Sequence, residues 1–403
     1  MKERIAVYAG TFDVFTNGHL HILTKASALF DIIYLVVADN VDKKCMFSLD
    51  ERIKMAEAAV AFLPTKIGVN DNNLKKFRVV KLPPSVYLVN FANKMGACCL
   101  IRGIRDNIDF AYEEKLHRTN LAICPQVETI YIMPDDTHSL ISSSWVKGLI
   151  GQNGWRDIVA PAVPKNVFES LKKAYLKKEV DAFVSEVTGL IQINNASLIA
   201  GSGKSHMLLL PSNFSESIVS QYSRKGYHNY DHVLDGLEAF KELFEEGHFA
   251  TKEEKLTTIF SWLLHDYEPD EEASAAHALS ICPNVFPKRD VAKFIAATKH
   301  SEKFQENTLS NEAIFASVDL LVLAWPWEKY CGYVKQIVEE YKHYGEDKFV
   351  AGRIAFLEKM LAKETIFPYP SFEKRFGKQA RSNMNCELHN LLEQQRAYHG
   401  VFS

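Results

Sequence analysis

An α/β fold with a parallel sheet over the first 177 or so residues, followed by an all-α remainder, is the architecture this sequence predicts. Three observations carry it. Short apolar runs alternate with helix-period segments as far as about residue 175, the pattern of parallel strands joined by crossover helices. From about Val167 the apolar residues keep helical spacing alone. Ten of the fourteen histidines lie beyond residue 205, so composition changes together with period.

The first predicted strand is Ile5-Ala6-Val7-Tyr8-Ala9. A glycine turn follows, Gly10-Thr11-Phe12-Asp13, and then Thr16-Asn17-Gly18-His19, where the helical pattern Leu20, Leu23, Ala26, Leu29 begins. Free N–H groups and the positive end of a helix attract anions, and glycine lets the backbone approach them, so strand, turn and helix start together suit phosphates. His19 stands where a donor or a cation can stabilise charge that grows during transfer. A second strand is predicted at Ile32–Ala38, then a basic loop at Lys43 and Lys44, then a helix announced by Ser48 and Glu51 as a capping box. Further strands are expected at Arg78 to Leu82, Cys98 to Ile101 and Thr129 to Met133, with ligands at their carboxyl ends.

A helix through Lys178 leads to Asn194-Asn195-Ala196-Ser197 and Gly201-Ser202-Gly203-Lys204-Ser205, read as a boundary. The expected organisation is a first domain at 1–177, a connector at 178–205 and a second domain at 206–403. Gly203-Lys204-Ser205 is not a P-loop: the first glycine of that motif would fall at Leu198. Beyond the boundary, helices are expected around Val233, Leu237, Phe240 and Leu243, around Ile259, Trp262 and Leu263, and from Ile314 to Leu323.

Composition excludes several classes. A net charge of −3 gives no case for nucleic-acid binding. Seven cysteines without a CxxC pair argue against a disulfide framework or a thiolate zinc site and suit a reducing cytoplasm. Met1-Lys2-Glu3-Arg4 runs directly into the first strand, and no apolar run reaches membrane length, so a cytoplasmic protein is expected.

Four more segments belong with the opening turn. Lys43 and Lys44 follow the second strand, where a cation meets an anionic substrate, although a basic loop is more often simply solvated. Arg102-Gly103-Ile104-Arg105 follows the strand ending at Ile101, and guanidinium forks there suit oligophosphate. Glu113, on the helical pattern with Phe110, is either a surface carboxylate or the holder of an arginine or a ribose hydroxyl. Ile141-Ser142-Ser143-Ser144 precedes Trp145-Val146-Lys147, three hydroxyls at a helix start, of which one is accounted for by plain N-capping.

The series GTFDVFTNGH, KKCMF, IRGIRDNIDFAYE and ISSSWVK resembles the pantetheine-phosphate adenylyltransferases, of the nucleotidyltransferase superfamily with the TxGH or HxGH signature, over roughly residues 1–175. The resemblance implies a Rossmann-like nucleotidyltransferase domain. It also implies transfer of AMP from ATP to 4'-phosphopantetheine, giving dephospho-CoA and pyrophosphate, with Mg2+ accompanying the nucleotide. Carried over by position, Thr11, Phe12 and His19 contact ATP, and His19 stabilises the pentacoordinate phosphorus. Lys43 acts near the transferring phosphoryl group, and Thr11, Lys43, Leu88 and Arg102 bind phosphopantetheine. Gly103, Ile104, Arg105, Glu113, His138, Ser139, Leu140, Ile141, Ser142, Ser143 and Ser144 line the nucleotide and pyrophosphate sites. A homo-oligomer is implied, commonly a hexamer. Val14 departs from the family's usual proline, Pro64 to Lys76 is longer than usual, and Pro83-Pro84-Ser85-Val86 replaces a more polar loop. Another acceptor, glycerol phosphate or nicotinamide mononucleotide, is the alternative reading.

The second half contains Tyr227-His228-Asn229-Tyr230-Asp231-His232, His265-Asp266 between apolar neighbours, and Asp319. Two imidazoles and two carboxylates suit a hard or borderline divalent ion. The set is similar to the HD superfamily of metal-dependent phosphohydrolases, over roughly residues 206–400. That resemblance implies one or two divalent ions on His232, His265, Asp266 and Asp319, with His228 protonating a leaving oxygen. His228 and His232 exchange roles in an alternative alignment. Glu272, Ser274, His300, Arg381 and Asn383 also fit an HD hydrolase group. A different class of reading makes this half a noncatalytic module that senses a nucleotide or the CoA pool.

Overall fold

A computed structural model describes residues 3–39, 44–61, 63, 76–199, 209–224, 226–300 and 309–400. The chain divides into two compact units, Met1–Tyr175 and Leu176–Ser403.

The first unit is built on five strands: β1 (Ile5–Gly10), β2 (Ile32–Val37), β3 (Phe77–Lys81), β4 (Cys99–Gly103) and β5 (Glu128–Ile132). Every pairing is parallel and the order is β3-β2-β1-β4-β5. Between the strands run α1 (Asn17–Ser27), α2 (Leu49–Ala61), α3 (Leu88–Lys94) and α4 (Asn107–Ile123). After β5 come α5 (Ser143–Leu149), α6 (Trp155–Val159) and the long α7 (Lys165–Ile199), which belongs to the second unit from Leu176 onward. The strand boundaries fall within two residues of expectation. β2 is buried along its whole length, which is why its text is apolar throughout rather than alternating. On one face of the sheet Val7, Tyr34, Val36 and Leu100 pack with Val89 and Ala92 of α3.

Strand order places β1 between β2 and β4, the point where successive connections leave in opposite directions and a crevice opens at the carboxyl ends. The register Gly10 beside Val37 and Ile101 beside Tyr8 brings the glycine turn and the Arg102–Arg105 segment to that same edge. The Ser48 capping box forms as expected: the Ser48 amide donates to Glu51 at 2.9 Å and the Glu51 amide to Ser48 Oγ at 3.4 Å.

The helix expected to run through Lys178 is longer than that. Helix α7 continues to Ile199, because Val180, Phe183, Val187 and Ile191 keep helical spacing and are all buried. That periodicity was present in the sequence beneath the charged residues between them. Gly201-Ser202-Gly203-Lys204-Ser205 lies outside the described residues, as do Lys43 and residues 64–75 of the Pro64 to Lys76 segment.

The second unit is helical over its described residues: α8 (Phe214–Gln221), α9 (Tyr230–Glu245), α10 (Lys252–Leu264), α11 (Glu271–Ile281), α12 (Lys288–Ala297), α13 (Asn311–Asp319), α14 (Trp327–Tyr341), α15 (Glu346–Leu361) and α16 (Pro370–Gly400). The helix expected from Ile314 to Leu323 is shorter than that: α13 ends at Asp319 and tightens into a 3-10 turn, Leu320–Ala324, ahead of Pro326. Phe240, Phe260, Trp262 and Phe315 are almost wholly buried here, each worth about 1.5–3 kcal/mol of burial. Gly236 permits this core. A Cβ there would lie 2.0 Å from the Trp262 ring, whose Nε1 donates to the Val233 carbonyl at 3.0 Å. No described helix is long and apolar enough to cross a membrane.

Candidate functional sites

The carboxyl ends of β1 and β4 open into a cavity of about 630 Å3 in the first unit. Tyr8, Gly10, Thr11, Phe12, Asp13 and His19 line it from the opening segment. Leu88, Arg102, Gly103, Arg105, Glu113, His138, Ile141, Ser142, Ser143, Ser144 and Lys147 line it from elsewhere. The opening turn, the arginine pair and the serine triplet, far apart in sequence, therefore share one pocket. Ile104, Ser139 and Leu140 do not line it. Ile104 is 2% exposed and its amide pairs with the Ile132 carbonyl, whereas Leu140 is 78% exposed and turned to solvent.

His19 is the third residue of α1 and completes a capping box with Thr16. The Thr16 amide donates to His19 Nδ1 at 2.9 Å. Burial, with the Arg105 guanidinium adding to it, lowers the His19 pKa to about 3. Gly18 is required for close approach: a Cβ on it would lie 3.0 Å from the Ile141 carbonyl of the serine loop.

Arg102 uses its guanidinium within the protein. Nη1 donates to the Ala9 carbonyl at 2.8 Å, while Nε donates to Glu113 at 2.6 Å and Nη2 to the other Glu113 oxygen. Glu113 is thus the buried holder of an arginine, one of the two readings its sequence allowed. Arg105 pairs with Asp109 at 2.7 Å. In the serine triplet, Ser142 Oγ caps α5 by accepting from Trp145 N at 3.0 Å, and Ser143 Oγ donates to the Val14 carbonyl at 2.6 Å.

Two further residues fix the pocket and were not singled out from sequence. Asp13, 3% exposed, accepts from the amides of Met46 and Phe47 at 3.0 and 3.1 Å and pairs with Lys147 at 2.6 Å. It ties the glycine turn both to the segment after Lys44 and to α5. Arg52, 1% exposed, donates to the carbonyls of Thr11 at 2.7 Å, Ala38 at 2.9 Å and Phe47 at 3.2 Å, and to Asp39 at 2.7 Å. An arginine on the apolar-spaced face of α2, four residues after the capping serine, was the available signal.

Comparison with known proteins bears on this unit. A family model described as cytidylyltransferase-like matches residues 7–148. A phosphopantetheine adenylyltransferase of Nautilia profundicola is 38% identical over 166 residues, 41% of this chain and 97% of that protein. One of Chromobacterium violaceum is 35% identical over 171 residues, 42% of this chain and 96% of that protein. The chain belongs to the phosphopantetheine adenylyltransferase family. Membership rests on the first 170 or so residues, and its first unit is a nucleotidyltransferase. Among solved structures, Plasmodium falciparum nicotinic acid mononucleotide adenylyltransferase complexed with NaAD overlaps 44% of this chain and 96% of that one, at 20% identity and TM-score 0.31.

In the second unit the structure brings together His232, His265, Asp266 and Asp319, with one ligand atom from each lying within 4.8 Å of the others. Asp266 Oδ2 stands 3.0 Å from His232 Nε2 and 2.9 Å from His265 Nε2, and Asp319 Oδ1 stands 3.7 and 3.6 Å from the same two atoms. His265 Nδ1 is held by the Trp262 carbonyl at 2.7 Å and its ring stacks on that indole, so Nε2 is the atom that faces the cluster. Burial disfavours an imidazolium there, but the carboxylates of Asp266 and Asp319 outweigh it and raise His265 to about 10. Burial disfavours both carboxylates as anions, but the charge of and hydrogen bonds from the neighbouring imidazoles outweigh it and hold both below their ordinary range.

His228 lies at the edge of this group, its Nε2 3.6 Å from Asp266 and its Nδ1 2.6 Å from Glu340 Oε1. Glu340 Oε2 also accepts from the amides of Tyr227 at 2.7 Å and His228 at 3.1 Å, a partner the sequence reading missed. His300 Nε2 meets the other oxygen of Asp319 at 2.8 Å. Ser274 binds the Glu268 amide, Arg381 the carbonyls of Lys363 and Glu364, and Asn383 those of Leu323 and Trp325. Glu272 is an exposed partner of Lys299.

Proposed function

We propose that the first unit transfers AMP from ATP to 4'-phosphopantetheine, giving dephospho-CoA and pyrophosphate. The observation that carries this reading is identity of 35–38% to phosphopantetheine adenylyltransferases across nearly their whole length. The cavity supports it by gathering a neutral histidine donor, two arginines and three serines around a glycine turn. A phosphate oxygen of the acceptor attacks the α-phosphorus of ATP. The new P–O bond forms as the bond from that phosphorus to the bridging oxygen breaks, and its electron pair leaves with pyrophosphate. His19 donates from Nε2 to the oxygen whose charge rises at the phosphorus, with no proton transferred. Arg105 and the serine segment face the departing pyrophosphate, and Arg102, oriented by Glu113, faces the acceptor phosphate.

Mg2+ would accompany the triphosphate as part of the substrate and would supply charge neutralisation there. Asp13, Asp109 and Glu113 are each already paired with a cationic side chain, which suits an ion carried by the nucleotide better than a protein cage. The role given to Lys43 by position belongs to this reading, and so does assembly with further copies of the chain. Pyrophosphate release from ATP, measured with 4'-phosphopantetheine, nicotinamide mononucleotide and glycerol phosphate in turn, tests the assignment. Turnover with either other acceptor and none with phosphopantetheine overturns it.

For the second unit we propose a metal-dependent phosphohydrolase of the HD type. Its support is the four-residue cluster, whose nitrogen and oxygen donors fit one or two divalent ions. Such ions, when bound, neutralise phosphate charge and activate water. His228, oriented by Glu340, supplies a proton to the leaving oxygen from Nε2. A screen of phosphoesters that includes dephospho-CoA and CoA, with metal content measured on the same protein, tests this. Metal retention without hydrolysis of any of them favours the sensing module instead.

A further inference from the structure

We infer that His21, Asp135 and His138 form a second site for a borderline transition-metal ion, such as Zn2+ or Co2+, beside the nucleotide cavity of the first unit. Their ligand atoms lie within 4.8 Å of one another, although the residues come from α1 and from the segment between β5 and α5.

The arrangement converges on one carboxylate. Asp135 Oδ1 is 2.5 Å from His138 Nδ1, and Oδ2 is 3.7 Å from His21 Nε2. The second separation is too long for a hydrogen bond. His21 Nε2 is shut off from solvent and has no hydrogen-bond partner among the described residues. A buried imidazole nitrogen without a partner is unusual, and a coordinated ion satisfies it without moving the main chain. The carboxylate is also held from behind: Asp135 Oδ1 accepts from Thr137 Oγ1 at 2.8 Å and from the His138 amide at 3.1 Å. Orientation of this kind is what metal-binding carboxylates receive from their surroundings.

Donor chemistry selects the ion. Two imidazoles and one carboxylate favour zinc or cobalt over the hard Mg2+ that accompanies ATP. The three side chains are 18, 47 and 28% exposed, so water can complete the coordination. Donors on one tetrahedral ion stand about 3.3 Å apart for bonds of about 2.05 Å. The rings of His21 and His138 are stacked at 4.4 Å with 14° between their planes, so both must tilt open to aim at one ion.

Position gives the site a consequence. His21 follows His19 by two residues on α1, and His138 lines the cavity. An ion there fastens the segment carrying His138 to the helix carrying His19, next to the Lys25 Nζ bond to the Met133 carbonyl at 2.7 Å.

The full-length protein, stripped with chelator and dialysed, is titrated with Zn2+ and with Co2+, reading bound equivalents and the visible Co2+ absorption. His21→Ala and Asp135→Asn are compared with wild type, each alone and combined with Asp266→Ala. Near-ultraviolet dichroism confirms that every variant is folded, and Asp135→Asn preserves shape on an exposed segment. The expected result is loss of one equivalent in each first-unit variant, in both backgrounds. If the four-residue cluster of the second unit binds nothing, the remaining equivalent still disappears with His21→Ala, so the two readings fail separately. Unchanged stoichiometry and unchanged Co2+ spectrum in both His21→Ala and Asp135→Asn overturn the inference.

Discussion

The amide of Thr16 donates to Nδ1 of His19, which leaves the single proton of a neutral ring on Nε2. Helix capping and tautomer choice are therefore one interaction. With the ring lowered to about 3 by burial and Arg105, His19 is a donor without charge across the physiological range. Its folded pKa lies below the unfolded value near 6.5, so neutrality stabilises the fold above that value. The contribution is lost as pH falls from about 6.5 towards 3.

A transferase rate that does not titrate with His19 between pH 5 and 8 is the first expectation, checked by a pH profile of kcat/KM for ATP. An inflection near 6.5 that disappears in His19→Gln contradicts it. His19→Ala should lower kcat by about 10²–10³, as loss of one preorganised donor does.

Breaking the Asp13–Lys147 pair should destabilise the first unit while also raising KM for both substrates. Lys147→Met leaves a carboxylate that is 3% exposed with two amides as its remaining donors among the described residues, at a cost of about 1–3 kcal/mol. Denaturant melts of Asp13→Asn, Lys147→Met and the double variant form a cycle. A coupling energy near zero rules out the pair as the fastening between turn and α5.

In the second unit, His265→Ala and Asp319→Asn should each abolish divalent metal retention by the four-residue cluster. Metal at about a hundred times its dissociation constant should stabilise the wild-type unit by about 2.7 kcal/mol and leave the variants unmoved. Thermal melts with and without the ion read this directly; equal shifts in all three proteins refute it.

Glu340→Gln should reduce hydrolysis of an activated phosphodiester by about 10- to 100-fold, the scale on which removal of an orienting partner acts. Metal content should be unchanged, because among the described residues Glu340 meets the cluster through His228. Loss of metal in Glu340→Gln would give it a structural role instead.

Much of the first unit was legible because local chemistry and strand order agree there. An apolar run, a glycine turn and a capped helix each declare themselves within ten residues, and parallel pairing then brings Gly10 and Arg102 to one edge. Asp13 and Arg52 escaped because most of their partners are main-chain groups of other segments, and a carbonyl or amide leaves no mark in the sequence. Helix α7 was cut short in the reading because charged residues between Val180 and Ile191 hid a buried stripe. In the second unit the residue types announced the His–Asp cluster. Glu340 did not announce itself, since an acidic residue late in an amphipathic helix is ordinarily solvated.

The guanidinium of Arg52 ties three chain segments to α2 around the cavity without lining it. An alignment of relatives should accordingly show this position as unvarying as His19, and a reader of conservation alone would enrol it among the residues that touch substrate. What is being preserved there is the shape of three carbonyl-bearing loops, which no smaller or rounder cation reproduces.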